Sequence, residues 1–158
     1  MDKEITGLNH TFYEISDLHT IFSMSYTDVI NGFRDYGTGA EYTMLEAHAI
    51  TLIERSPGIT VTEISKAFGR SKSAISQLIS RLEKKGLVIK TQKDGENQKL
   101  KGLYVTQKGQ EFSQFHVEYD TRQVAHWMKI LMSEFSTDEL NTIYHYMAFV
   151  IKNKIARP

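Results

Sequence analysis

Apolar residues recur at steps of three and four through most of the chain, the spacing of one buried helix face. Phe12, Ile15, Leu18, Phe22, Tyr26, Val29, Ile30 and Phe33 predict one long helix over residues 10–36. Tyr36-Gly37-Thr38-Gly39 should end it, because paired glycines are poor helix-interior residues. Thr43 with Glu46 three residues on has the form of a capping box. The helix it opens buries Leu45, Ala49, Leu52 and Ile53 and stops at Ser56-Pro57-Gly58.

A second capping box, Thr60 with Glu63, opens a short helix with Val61, Ile64, Ala67 and Phe68 on its apolar side. Gly69 breaks that helix and Ser71 can cap the next. Ile75, Leu78, Ile79 and Leu82 give this next helix a clean apolar stripe, and Gly86 suits its C-terminal end. Leu87–Gln92 and Lys101–Val105 are short β-type runs joined by the turn residues Asp94-Gly95-Glu96-Asn97. Thr106 can cap a long helix to about Glu134, with Phe112, Phe115, Tyr119, Trp127, Ile130 and Leu131 inward. Ser136 and Glu139 form a further capping box before a last helix carrying Leu140, Ile143, Tyr144, Met147, Val150 and Ile151. The expected architecture is mainly α: helix, tight turn, helix, then a two-stranded ribbon, between long helices at either end.

Charge adds function to this outline. The chain has 19 basic and 19 acidic residues, but residues 60–109 hold eleven Lys and Arg against four acids. That segment is +7 and the remainder −7, a split typical of a protein that docks one basic face on a polyanion such as duplex DNA. The major groove admits one helix, which needs an apolar back, small polar side chains in front and cations beside the phosphates. The helix after Ser71 supplies all three. Ser73, Ser76 and Gln77 are the base-edge candidates, and Lys72 and Arg81 suit phosphates. Ser71 at its start and Lys93, Asn97, Lys99 and Lys101 in the ribbon complete the candidate DNA-facing set.

The stretches YTMLEAHAITLI, GITVTEISKAFGRSKSAISQLISRLEKKGLV and LYVTQKGQEF, in that order and spacing, resemble the winged helix-turn-helix core of the MarR family of bacterial transcription regulators. The resemblance extends over nearly the whole chain. It implies a single domain over 1–158, with a winged helix-turn-helix lobe at 42–106 and dimerisation helices at 1–36 and 107–158. It also implies an obligate homodimer reading a pseudo-palindrome, most often a repressor relieved by a ligand bound between the dimer helices and the DNA-binding lobe. In one place the chain departs from the family pattern. The family's wing carries Asp, any residue, then Arg before its second strand, where this chain has Asn97-Gln98-Lys99. Lys99 keeps the charge but lacks the planar guanidinium fork that suits a narrow minor groove.

Two effector chemistries fit the residues. His116 and Asp120 stand four apart on one helix face and His48 lies on the helix before the DNA-reading unit, a set able to share one metal ion. The resemblance implies the same helices, since zinc-sensing members of the family have a histidine at the position matching His48. Phe22, Tyr26, His48 and Phe112 could instead line a small aromatic-ligand pocket, or simply pack the dimer core. With no cysteine there is no thiol redox switch and no disulfide. No H-E-x-x-H, Gly-x-Ser-x-Gly or P-loop occurs, so neither an enzyme nor a resident cofactor is expected. A winged-helix module that binds only protein is the rival from another class, and it would show a neutral recognition face. No apolar run has bilayer length and no secretion signal is visible, so a cytoplasmic protein without a membrane partner is expected.

Overall fold

The computed structural model describes residues 12–92 and 101–153. Along the chain these are α1 (Phe12–Asn31), β1 (Phe33–Asp35), β2 (Glu41–Thr43), α2 (Met44–Arg55), α3 (Val61–Phe68), α4 (Lys72–Lys84), β3 (Val88–Gln92), β4 (Lys101–Val105), α5 (Gln107–Glu134) and α6 (Thr137–Asn153). The chain forms two compact units, one through His116 and one from Val117 onward.

The first helix is shorter than its apolar spacing predicts. α1 ends at Asn31, and residues 33–35 pair antiparallel with 41–43, Phe33 opposite Thr43 and Asp35 opposite Glu41. The glycines therefore close a hairpin rather than terminate a helix. Its turn is organised by Asp35, whose carboxylate accepts from the backbone N–H groups of Gly37, Thr38 and Gly39. These bonds, that from Thr38 foremost, hold the Asp35 carboxyl below the ordinary carboxylate range. Phe33, expected on the buried helix face, is exposed, and Tyr36 is buried in its place.

The helix-turn-helix is built as the local signals require. Thr43 and Glu46 exchange both capping-box bonds at the start of α2, and Thr60 and Glu63 do so at the start of α3. Gly69 closes α3 in the left-handed region, at φ 60°. The lobe's core is Ala47, Ala49, Ile50 and Ile53 of α2, Ile64 of α3, Ile75, Leu78, Ile79 and Leu82 of α4, with Leu87, Val88 and Leu103 of the ribbon. β3 and β4 pair antiparallel from Val88–Val105 to Gln92–Lys101, and Ile59 adds a bridge to Leu103. Gly109, in the first turn of α5, packs directly on the backbone. A Cβ there would lie 2.1 Å from the Leu87 carbonyl oxygen.

In the second unit, Ser136 and Glu139 form the expected capping box ahead of α6. The side-chain and backbone bonds from Ser136 lower the Glu139 carboxyl. The helix faces expected inward here are exposed among the described residues. Trp127, Met128, Ile130, Tyr144, Met147, Phe149 and Ile151 are all exposed. In the first unit, Tyr13, Leu18, Ile21, Phe22 and Met24 of α1 are equally exposed, as is Phe115 of α5. Of the expected inward set on α5, Phe112 alone is buried, because it is the one that meets the hairpin and α2 side of the lobe.

Candidate nucleic-acid interface and histidine cluster

α4 has the division of labour that a groove-entering helix needs. Ile75, Leu78, Ile79 and Leu82 fix its back in the core, while Lys72, Ser73, Ser76, Gln77 and Arg81 are exposed. Ser71 is its N-cap, accepting from the Ala74 N–H at 3.2 Å, and its hydroxyl also meets that of Ser73 at 3.0 Å. Ser71 is thus a structural cap as well as a candidate contact. Lys101 is exposed at the start of β4. Lys93, Asn97 and Lys99 lie outside the described residues.

Part of the positive charge is spent inside the lobe. Glu46, 2% exposed, faces Arg81 Nε at 3.5 Å and Lys85 Nζ at 3.2 Å. Lys85 also sits over the Tyr42 ring, 4.4 Å from its centroid. Burial, with the charges of Glu46 and Asp35, pushes the Tyr42 phenol up from its usual range. Lys90 pairs with Glu83 at 2.7 Å. Glu46 is therefore both the α2 capping residue and the anchor that ties α2 to the C-terminal half of α4. Its capping role is written in local spacing. The anchoring role joins residues 39 apart, and no sequence pattern marks it.

The histidine cluster forms around α2 and α5. The rings of His48 and His116 meet edge to face with centroids 4.9 Å apart. Asp120 follows His116 by one turn of α5. Two imidazoles and a carboxylate are a donor set that suits zinc, which takes three such ligands at sites that keep one position open. His116 is buried and His48 exposed, so the cluster opens to solvent on one side. Behind it lies a buried polar chain that the sequence did not announce. Ser113 Oγ donates to Thr51 Oγ1 at 3.2 Å, and Thr51 Oγ1 meets His116 Nδ1 at 2.9 Å.

The four candidate aromatic-pocket residues separate into two settings. Phe22 stacks on Tyr26 on the exposed face of α1. Phe112 is packed by Tyr36 and Tyr42, which arrive on the unforeseen hairpin, and lies parallel to the His116 ring. His48 stands at the edge of this second group, against His116.

Known proteins agree with this architecture. Residues 41–97 match the family model described as MarR family. No curated protein matches the sequence. The S. aureus MepR–DNA complex is similar at 18% identity, covering 91% of this chain and 99% of that one, with a TM-score of 0.68. Lactococcus lactis ZitR in complex with DNA is similar at 13% identity, 92% and 99% coverage and a TM-score of 0.66. The zinc-dependent MarR family regulator AdcR in its Zn(II)-bound state is similar at 12% identity, 90% and 99% coverage and a TM-score of 0.60. At such identities the structural likeness is one of fold. No helix among the described residues is long and apolar enough to cross a membrane. Residues 41–97 are thus similar to the MarR family model, in a chain whose fold is like that of these winged-helix regulators along nearly its whole length.

Proposed function

We infer that the chain is a homodimeric, sequence-specific DNA-binding regulator that acts as a ligand-relieved repressor on a pseudo-palindromic operator. The observation that carries this reading is α4: a polar, cation-flanked face held rigidly outward by four buried aliphatic residues. A module that binds only protein would have no use for Lys72, Gln77 and Arg81 on that face. Solved structures of the same fold include complexes with DNA, which supports the same reading. The exposed apolar side chains of α1, α5 and α6 are the second support, because a second copy would cover them. Residues 1–36 and 107–158 would then be the dimerisation part and 42–106 the reading lobe. Selection of bound sequences from a random duplex pool tests the function and yields the operator.

For the effector, the His48, His116 and Asp120 cluster favours a zinc-responsive regulator. His48, His116 and Asp120 would hold the ion, which would supply a cross-link between α2, the helix that carries the lobe, and α5. The alternative effector is a small aromatic molecule among Phe22, Tyr26, His48 and Phe112. Measuring operator affinity with zinc, phenols and aromatic carboxylates separates the two. A zinc response lost in His48→Ala and His116→Ala supports the first, and one kept in both overturns it.

A further inference from the structure

The Ser113–Thr51–His116 chain is unusual for its setting. Ser113 and His116 are 0% and 1% exposed and Thr51 is 6%, in a core whose only other buried polar side chain among the described residues is the ion-paired Glu46. Polar groups buried there cost free energy unless hydrogen-bonded, and a valine at residue 51 would fill the same volume without that demand. The bond from Thr51 falls on Nδ1 of His116. That nitrogen decides which tautomer the ring adopts, and hence whether its other nitrogen has a lone pair to give.

We propose that Thr51 is a positioning residue that holds His116 in the orientation and tautomer needed to bind metal through Nε2. This rests on the zinc-responsive reading above. A neutral imidazole bound through Nε2 must carry its proton on Nδ1, and that N–H needs an acceptor. Thr51 Oγ1, at 2.9 Å, is that acceptor. Ser113 donates to the same oxygen, so Thr51 Oγ1 would accept from both neighbours while the neutral ring keeps its proton on Nδ1 and leaves the Nε2 lone pair to a metal ion. Because Thr51 lies on α2 in the lobe's core, the contact also makes His116's state felt by the helix that carries the reading unit.

The test compares wild type, Thr51→Val, Thr51→Ser and His116→Ala. Zinc affinity is measured by competition with a chromophoric chelator, and the tautomer of His116 by ring nitrogen chemical shifts in the metal-free protein. Thr51→Val should weaken zinc binding by about 10–100-fold, the usual cost of losing such a partner. It should also move the metal-free His116 nitrogen shifts, while Thr51→Ser stays near wild type in both. If Thr51→Val binds zinc as wild type does while His116→Ala does not, the metal site stands and the role of Thr51 is wrong. If wild type and His116→Ala bind zinc equally weakly, the zinc-responsive reading itself fails. Unchanged nitrogen shifts in Thr51→Val overturn the positioning role even without metal.

Discussion

Glu46 holds Lys85 at 3.2 Å from a carboxylate that is almost wholly buried, and Arg81 reaches the same carboxylate at 3.5 Å. One acid on α2 thus fixes two cations of the segment that presents the reading face. Glu46→Gln keeps the shape and removes the charge. It should lower stability by about 1.5–3 kcal/mol, the worth of hydrogen bonds to a charged group, toward the low end because Arg81 is half exposed. Urea unfolding checks this, and an unchanged midpoint would show that the anchor contributes nothing.

Gly109→Ala should destabilise the lobe even though alanine is the better helix former. Helix propensity alone favours alanine by about 0.5–1 kcal/mol. The added Cβ would lie 2.1 Å from the Leu87 carbonyl oxygen, a backbone atom that cannot swing away. Overpacking of this kind costs about 1–3 kcal/mol, so the net sign reverses. A gain in melting temperature would contradict the close approach of α5 to the ribbon.

Asp35→Asn probes the hairpin through pH. The folded carboxyl is held below its unfolded value by backbone N–H bonds, Thr38 first. A lowered folded pKa gives stability that is present above the unfolded pKa and lost as pH falls through the folded one. The wild type should therefore exceed Asp35→Asn in stability at neutral pH, and the gap should close in acid. Stability curves of the two proteins across that range that run parallel would remove the carboxylate from the account.

The three capping boxes and the apolar stripe of α4 were legible because each lies within one or two helical turns of sequence. Thr43–Glu46, Thr60–Glu63 and Ser136–Glu139 all form as spacing requires. The β1–β2 hairpin was not legible. Phe33 continues the three–four spacing of α1, and only the Asp35 turn and the pairing with residues 41–43 override it. The exposed faces of α5 and α6 follow helical periodicity, but periodicity cannot say what covers them. Of the site, the edge-to-face meeting of His48 with His116 joins two helices that no local spacing relates, and no pattern marks Thr51 and Ser113. Their bond joins residues 62 apart, and serine and threonine are too common to stand out.

Dimerisation can be challenged on α6 directly. Ile143, Met147 and Ile151 recur along one exposed face of that helix. A charge there, as in Met147→Glu, should shift the protein from dimer toward monomer, because large apolar interfaces are typically obligate. Sedimentation at micromolar concentration reads the outcome, and a monomeric wild type would overturn the dimer.

Reading and attraction should separate on α4. Gln77→Ala should cost about 1–3 kcal/mol on the operator and much less on random duplex, since an amide distinguishes base edges. Lys72→Ala should weaken both DNAs alike and lower the log–log salt slope by about one unit per contact, because a cation attracts every sequence. In a symmetric dimer each change occurs twice, so the effects roughly double. Equal losses on both DNAs for Gln77→Ala would remove it from base reading.

Two copies of α4, one from each protomer, are proposed to read the duplex sequence. Selection from a random duplex pool, with bound sequences recovered and read, tests this most directly. One pseudo-palindrome should be enriched, its half-sites about 34 Å, or one helical turn, apart, with binding that falls steeply as salt rises. A pool that emerges without enrichment, from a protein that holds no duplex even at low salt, would contradict it.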